Sequence, residues 1–274
     1  MEPTLVLYHA NCPDGFASAL VANLFLGDVG VEYRPIQYGD RVPDVSNYRN
    51  IYILDFSFKK SILEEMAKDG RKVVVLDHHK TGQEELEGLV LSNGGLVKFD
   101  MGKCGSVLTW EYFTGAAVPT LLEYVQDRDL WKWKLPFSRE ISAALDLKER
   151  TFEDWSKFQR ALTNGSSQIV EQGRAVLKYI ERKVDGLASR AEVTSIGGHT
   201  IHVVNSSVWQ SEIGERLCYL WPGEKFAAVY FVSEGSEIYS LRSRPGEFDV
   251  SAIAKLYGGG GGHPGAAGFK RTIS

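Results

Sequence analysis

The sequence predicts an α/β protein with a parallel-sheet N-terminal domain, a helical connector and a smaller α/β C-terminal domain. In the first half of the chain, short apolar runs alternate with helix-like segments, which is typical of parallel strands joined by crossover helices. Helical patterns take over near residue 118, and short apolar runs return near residue 190. We therefore expect three parts, at 1–135, 136–189 and 190–274.

The strands of the first part are predicted from its apolar runs. Runs at 5–8, 51–54 and 73–76 predict strands, and segments 16–26 and 61–67 predict helices that end near glycines. Because open parallel sheets bind ligands beyond the carboxyl ends of their strands, we expect the ionisable residues there to share one crevice. They are His9, Asn11, Cys12 and Asp14 after the first strand, Asp55 after the second, and Asp77, His78 and His79 after the third.

The later elements are predicted by the same patterns. Helices are expected over 151–162, 169–180, 211–219 and 250–257, and strands over 202–204, 226–230 and 238–241. This mixture predicts a second, small α/β domain.

Composition and charge limit the class of protein. The 274 residues are 43% hydrophobic and 24% charged, which fits a globular protein long enough for two domains. A net charge of −4 argues against long duplex DNA as a partner but allows a short oligonucleotide. Three widely spaced cysteines, no signal-like start and no apolar stretch near the ~18 residues of a membrane span favour a cytoplasmic protein without membrane contact.

The sequence Asp77-His78-His79 offers the ligand types that Mn, Fe or Zn prefer. Adjacent histidines in an extended chain point in different directions. We therefore expect one to bind a metal ion and the other to reach a substrate phosphate, with Asp77 supporting them. A solvated turn at the end of the strand is the alternative interpretation.

A pair of divalent ions needs roughly six to eight ligand groups, one of them a bridging carboxylate, and such a pair catalyses in-line attack on phosphorus. The strand ends nearly supply this set, and a further carboxylate is available in segment 124–129. Each group also has a structural interpretation. Asp55 can cap a helix, Asp14 can belong to a turn, and the acidic residues of 124–129 can end a helix.

The glycine-rich segment 258–268 is a candidate binding element. Glycines let backbone amides approach a phosphate or sugar, and His263 within the segment adds a donor. A flexible linker is the alternative. Arg242 and Arg244 alternate along a predicted strand and could point toward phosphate, whereas Trp131 and Trp133 could stack a base or pack in the core. In a strand, the spacing of His199 and His202 puts them on opposite faces, which excludes a shared metal ion.

The ordered set of motifs resembles the DHH phosphoesterase superfamily, in the branch with a glycine-rich DHH-associated C-terminal domain. The motifs are YHANCPDG, ILDFS, LDHHK, QDRD and GGGGGHPGAAG, and together they extend over nearly the whole chain. The resemblance implies two Mn²⁺ ions, with Mg²⁺ or Co²⁺ as substitutes, and Asp55 as the bridging ligand. The implied metal ligands are His9, Asp14, Asp55, His78 and Asp127. The implied phosphate- and substrate-binding residues are His79, supported by Asp77, together with Arg242, Gly260, Gly261, Gly262 and His263.

One position departs from the family pattern. Cys12 stands where members usually have an acidic residue. Cys12 is therefore either a softer metal ligand or a cysteine that only packs.

The implied activity is hydrolysis of short oligonucleotides, or of single-stranded nucleic-acid ends, to 5′-nucleotides by a metal-activated hydroxide. A RecJ-like exonuclease acting on longer single strands is one alternative. A nucleotide-binding module with impaired catalysis is another, motivated by Cys12. An inorganic pyrophosphatase is disfavoured, because members with that activity have a different C-terminal domain.

Overall fold

The computed structural model describes residues 2–165 and 167–273. The chain divides between Leu177 and Lys178 into two compact units, called unit 1 and unit 2 below. Within the described residues, no helix is both long and apolar enough to cross a membrane. All three cysteines are free thiols.

Unit 1 contains a five-stranded parallel sheet in the order β2-β1-β3-β4-β5, which confirms the predicted fold class. The elements up to the end of the sheet are β1 (Thr4–His9), α1 (Pro13–Leu26), β2 (Val31–Ile36), β3 (Asn50–Leu54), α2 (Lys60–Met66), β4 (Lys72–Asp77), α3 (Lys80–Glu85) and β5 (Leu96–Phe99). The helices that follow are α4 (Gly105–Phe113), α5 (Thr120–Asp129), α6 (Ser138–Leu145), α7 (Phe152–Thr163) and α8 (Ser167–Ala188), which continues into unit 2.

The three central strands are the ones that the apolar runs predict. They are buried on both faces, as parallel strands between two helical layers must be. The edge strands β2 and β5 are not predicted. Charged residues and Pro35 interrupt the apolar residues of β2, and β5 has only four residues.

Helices α6 and α7 belong to the core of unit 1. Trp155 and Phe158 of α7 and Ile141 of α6 pack in one buried cluster with Phe16 and Leu20 of α1. The segment expected as a connector, 136–189, therefore contributes its first two helices to the N-terminal unit.

Unit 2 contains a six-stranded sheet in the order β10-β11-β9-β8-β7-β6. Its elements are β6 (Glu192–Ile196), β7 (His199–Asn205), α9 (Gln210–Leu220), β8 (Ala227–Ser233), β9 (Ser236–Arg242), α10 (Val250–Lys255), β10 (Gly261–His263) and β11 (Ala266–Thr272). Helix α9 covers one face of this sheet and α10 the other. The glycine-rich segment is a hairpin, since β10 pairs with β11.

Candidate metal centre

The side chains that follow the central strands meet at the carboxyl edge of the unit 1 sheet. Buried Asp55, in a left-handed conformation (φ 61°) just after β3, lies at the middle of the group. The Nε2 atom of His78, after β4, is 3.0 Å from Asp55 Oδ1 and 3.8 Å from Asp14 Oδ2. Three buried side chains from separate segments of the chain therefore lie close together.

Asp55 also belongs to a second group of possible ligands. Its Oδ2 is 3.5 Å from Nδ1 of His9, at the end of β1. One ligand atom each from His9, Cys12 and Asp55 lie within 4.8 Å of one another, and the same holds for Asp14, Asp55 and His78. Asp55 is common to both groups, which is the position that a bridging carboxylate occupies.

Asp77 orients His79. The Oδ1 atom of Asp77 accepts hydrogen bonds from the backbone amides of His78 at 2.7 Å and His79 at 3.2 Å, and it lies 2.7 Å from Nδ1 of His79. The carboxylate contact favours the tautomer with the proton on Nδ1 and fixes the ring plane. The two adjacent histidines therefore have different partners, His78 facing Asp55 and His79 facing Asp77, and binding of a phosphate by His79 stays a prediction.

Asp14 is held by the N-terminus of α4, a helix that the sequence motifs do not predict. Its carboxylate accepts hydrogen bonds from the backbone amides of Gly105 at 2.5 Å and Ser106 at 3.0 Å, and from Ser106 Oγ at 2.5 Å. Unpaired amides and the helix dipole make this end of a helix a favourable place for a negative charge. The arrangement fixes Asp14 beside His78.

Two glycines allow the close approach of these segments. A Cβ at Gly105 would lie 2.6 Å from Asp55 Cβ and 3.0 Å from Asp14 Oδ2. A Cβ at Gly15 would lie 2.2 Å from the carbonyl oxygen of His9. Side chains other than hydrogen at these positions would separate the candidate ligands.

The structure places Asp129, not Asp127, in the cluster. Asp129 Oδ2 is 3.5 Å from His78 Nε2. The two carboxylate oxygens of Asp127 instead accept hydrogen bonds from the backbone amides of Lys134 at 3.0 Å and Leu135 at 3.1 Å. Residues two apart on a helix point to nearly opposite sides, so α5 can direct only one of these two carboxylates at the sheet. Asp127 stabilises the loop after α5, and Asp129 becomes the candidate ligand.

The neighbouring charges and burial raise the pKa values of His78 and Asp14 and lower that of Asp55, so protons on His78 and Asp14 are favoured. Although burial opposes it, the charges of Asp129, Asp55 and Asp14 raise the pKa of His78 to about 10. Burial and the neighbouring charges of Asp55 and Asp129 raise the pKa of Asp14 well above its usual range. Burial would also raise the pKa of Asp55, but the neighbouring imidazoles of His78 and His9 hold it well below its usual range. A divalent cation would replace these protons.

Cys12 has a thiol that stays protonated in this setting. Burial, followed by the charges of Asp55 and Asp129, raises its pKa well above the ordinary value. A cation beside the sulfur would reverse this effect, because a coordinated thiol is deprotonated.

Buried polar atoms without a hydrogen-bond partner support a metal site. Buried nitrogen and oxygen atoms are normally paired, because an unpaired one costs about 1–3 kcal/mol. Four buried atoms here have no hydrogen bond, namely His9 Nδ1, Asp55 Oδ2, Asp77 Oδ2 and Asp129 Oδ2, and charged neighbours approach three of them only to 3.5 Å. Carboxylate and imidazole donors of this kind suit Mn²⁺ and similar divalent ions. The residues present therefore fit the metal pair that the sequence motifs imply.

In unit 2, Arg242 and His263 lie on one face of the sheet. Ala266 of β11 pairs with His263 of β10 on one side and with Arg242 of β9 on the other. Directly paired residues share a face, so the side chains of Arg242 and His263 flank a single alanine. Arg242 Nη2 also donates to Ser211 Oγ at 2.6 Å, and Gly214 of α9 leaves room for its side chain.

The glycines beside His263 have packing roles. A Cβ at Gly260 would lie 2.2 Å from the carbonyl oxygen of Ala254, and Gly262 has φ 136° with its Cβ position 2.6 Å from the carbonyl oxygen of Ala266. Gly261 pairs with Gly268 in the hairpin. Binding of substrate by these three glycines stays a prediction.

Other candidates from the sequence have structural partners. Arg244 donates to the carbonyl oxygens of Cys218 at 2.9 Å and Pro222 at 2.7 Å, at the end of α9. The guanidinium of Arg139 lies 4.4 Å from the ring centre of Trp133, which in turn packs on Trp131. These contacts favour a packing role, and stacking of a base by the two tryptophans stays a prediction.

The histidine pair in unit 2 separates as predicted. His199 contacts Phe226 and Phe248, whereas His202 stacks on Trp221 at 3.6 Å. They do not form a metal site together.

Sequence reasoning missed Asp129, Ser106, Gly105 and Tyr38. A signal for Asp129 is present: it lies four residues after Val125 and seven after Leu122, both buried, and so continues the inward-facing stripe of α5. Tyr38 follows β2 within the turn sequence Gln-Tyr-Gly-Asp, where its ring stands 5.6 Å from that of His9.

Comparison with known proteins supports the resemblance to the DHH phosphoesterase superfamily that the sequence motifs carry. Over 97% of its length it is 29% identical to oligoribonuclease NrnB of Bacillus subtilis, and it covers 72% of that protein. Over 97% of its length it is also 32% identical to the uncharacterized protein R106 of Acanthamoeba polyphaga mimivirus, of which it covers 66%. No protein-family model matches the chain.

Solved structures show the same fold. Exonuclease RecJ bound to manganese superposes with a TM-score of 0.50 at 17% identity, covering 100% of this chain and 86% of that chain. An exopolyphosphatase-related protein from Bacteroides fragilis superposes with a TM-score of 0.50 at 12% identity, covering 99% of this chain and 87% of that chain. At these identities the likeness concerns the fold.

Proposed function

We propose that the chain is a metal-dependent phosphodiesterase that hydrolyses short oligonucleotides, or single-stranded nucleic-acid ends, to 5′-nucleotides. One observation carries the proposal: the buried Asp55 carboxylate lies 3.0 Å from His78 Nε2 and 3.5 Å from His9 Nδ1. A carboxylate shared between two sets of ligands is what two-metal hydrolysis of phosphate esters requires. The relative NrnB, an oligoribonuclease, supports the class of substrate.

The residues of the cluster divide into two ligand sets. His9, Cys12 and Asp55 would hold one cation, and Asp14, Asp55 and His78 the other, with Asp129 next to His78. Two divalent cations lower the pKa of a bound water and neutralise phosphoryl oxygens. Mn²⁺ is the first candidate because RecJ, which shares the fold, binds manganese.

His79 is assigned to the phosphate. Asp77 holds its Nδ1 at 2.7 Å, so Nε2 is the nitrogen that would donate to a nonbridging oxygen of the substrate. Orientation by a buried carboxylate also keeps the ring from rotating when the substrate enters. Asp77 is therefore a positioning residue.

Substrate binding is assigned to the face of unit 2 that carries Arg242 and His263. Two strand spacings of about 4.8 Å separate their backbones, with only the methyl group of Ala266 between the side chains. This spacing accommodates a phosphate or a sugar between a guanidinium and an imidazole. Unit 1 would then be catalytic and unit 2 substrate-binding.

Charge favours short substrates. The net charge of −4 opposes the long-range attraction that a long polyanion needs, whereas the local cations of one site suffice for a dinucleotide. The longer-strand exonuclease predicts the opposite preference. We further propose a cytoplasmic location, which the free cysteines support.

The test is a panel of labelled RNA and DNA oligonucleotides, from dinucleotides to long single strands, incubated with Mn²⁺ and resolved by length. The proposal predicts rapid conversion of the shortest RNA or DNA to 5′-nucleotides. Asp55→Asn, a near-isosteric variant without the bridging charge, should be inactive. Preference for long strands would favour the exonuclease, and tight binding without turnover would favour the binding module.

A further inference from the structure

The ring of Tyr38 stands at the rim of the metal centre. Its centroid is 5.6 Å from the ring of His9 and 6.2 Å from that of His79, and both rings are nearly perpendicular to it. Phe56 supports it from a third direction at 5.9 Å. In spite of these contacts, Tyr38 is 55% exposed. The exposed ring therefore lies directly beside a candidate metal ligand and the candidate phosphate-binding histidine.

The turn that carries Tyr38 is fixed to the sheet. Gln37 donates from Nε2 to the carbonyl oxygen of Ala10 at 2.8 Å, which ties the turn to the segment after β1. The amide of Gln37 donates to Asp40 Oδ2 at 2.7 Å, and the amide of Asp40 returns a bond to the carbonyl oxygen of Gln37 at 3.1 Å. The backbone on both sides of Tyr38 is thus held, so the ring has a defined position.

The chemistry of a nucleotide matches this position. In a nucleotide, a single sugar separates the base from the phosphate. The ring of Tyr38 lies 5.6 Å from that of His9, a candidate metal ligand, and 6.2 Å from that of His79, which is proposed to bind the phosphate. Single exposed aromatic rings are common on proteins, so exposure alone means little. A held aromatic ring next to a phosphate site is the arrangement that stacks bases without reading their identity.

We propose that Tyr38 stacks on the nucleobase of the nucleotide whose phosphodiester occupies the metal centre. This assignment deepens the proposed phosphodiesterase function and rests on it. Every base has a π face, so a stacking tyrosine gives affinity with little sequence preference. Its contribution is to substrate binding rather than to the chemical step.

The experiment combines a variant of the protein with a variant of the substrate. KM, kcat and Kd are measured for the ribodinucleotide pApA and for two analogues in which one or the other adenine is replaced by hydrogen. The proteins are the wild type, Tyr38→Leu, Tyr38→Phe and Tyr179→Leu. Tyr179 is a matched control, being 56% exposed and packed on Trp209. Mn²⁺ affinity is measured for all four by calorimetry.

Tyr38→Leu should raise KM and Kd for pApA about tenfold, with little change in kcat. For one of the two abasic analogues, KM and Kd with the wild type should be higher than for pApA by a similar factor. Tyr38→Leu should not raise them further for that analogue. Tyr38→Phe and Tyr179→Leu should behave as wild type, and Mn²⁺ affinity should stay unchanged.

The assignment would be overturned if Tyr38→Leu raised KM and Kd equally for pApA and for both abasic analogues. It would also be overturned if Tyr38→Leu weakened Mn²⁺ binding and left KM and Kd for pApA unchanged. Such a loss of Mn²⁺ affinity would mean that Tyr38 only supports His9. If the wild type binds pApA in a Tyr38-dependent manner without cleaving it, the stacking role stands and the phosphodiesterase proposal fails. If the wild type neither binds nor cleaves pApA, both fail.

Discussion

Replacement of Gly105 by alanine should separate the two carboxylates that α4 brings together. The added Cβ would lie 2.6 Å from Asp55 Cβ and 3.0 Å from Asp14 Oδ2. Carbon atoms in contact normally stay about 3.5–4.0 Å apart, so Asp55 or the start of α4 must move by about 1 Å. A displacement of about 1 Å costs on the order of a hundredfold in rate, and disturbed ligand support costs about 10- to 100-fold in metal affinity.

Calorimetric titration with Mn²⁺ and dinucleotide hydrolysis would measure both losses. Gly115→Ala is the control, because a Cβ there meets nothing within 4 Å. Circular dichroism of the metal-free proteins would establish that both variants fold. A folded Gly105→Ala protein with the Mn²⁺ affinity and activity of Gly115→Ala would show that glycine at 105 is not needed to hold Asp14 and Asp55 in place.

Four further predictions concern individual side chains. Asp129→Asn should weaken Mn²⁺ binding, as measured by calorimetry. Asp127→Asn should retain Mn²⁺ affinity but lower the free energy of unfolding, measured by denaturation, by about 1–3 kcal/mol. If the two variants changed both quantities equally, this distinction would be wrong. Because the pKa of His78 is raised from 6.5 to about 10, its protonation stabilises the metal-free protein fully below pH 6.5, and this stability is lost as the pH rises toward 10. Thermal unfolding across this range should show the decline without Mn²⁺, and a flat profile would be inconsistent with it. Cys12→Asp should bind Mn²⁺ more tightly, since a carboxylate suits this ion better than a thiol; unchanged calorimetric affinity would remove Cys12 from the ligand set. His263→Ala should raise KM for dinucleotides with little effect on kcat, and an unchanged KM would exclude it from substrate binding.

The central strands and the residues after them could be predicted because both signals are local. A buried parallel strand is a continuous apolar run, and the ionisable residue that follows it must lie at the carboxyl edge of the sheet. His9, Asp55 and His78 therefore follow from the sequence. The edge strand β2 does not, because a half-exposed strand that contains Pro35 has neither a continuous run nor a strict alternation.

The contribution of α5 depended on tertiary structure. Asp127 and Asp129 have the same chemistry and differ only in the side of the helix from which they project. The rotation of α5 about its axis is set by the packing of Leu122 and Val125 against the neighbouring helices. The motif alone does not indicate that rotation, although the spacing of the apolar residues in α5 does.

The hydrogen bonds that hold Asp14 could not be predicted from sequence motifs, for another reason. Two of the three donors are the backbone amides of Gly105 and Ser106, more than 90 residues along the chain, and backbone groups have no sequence signature. The requirement for glycine at 105 likewise arises only when Asp55 and α4 meet in the folded chain.

Anomalous diffraction at the manganese absorption edge, from crystals grown with Mn²⁺, would locate any ions bound at the carboxyl edge of the unit 1 sheet. We predict two peaks on either side of the Asp55 carboxylate, one beside His9 and the other beside His78. Density for manganese elsewhere, or none at Asp55 in a protein that otherwise retains this fold, would contradict the account.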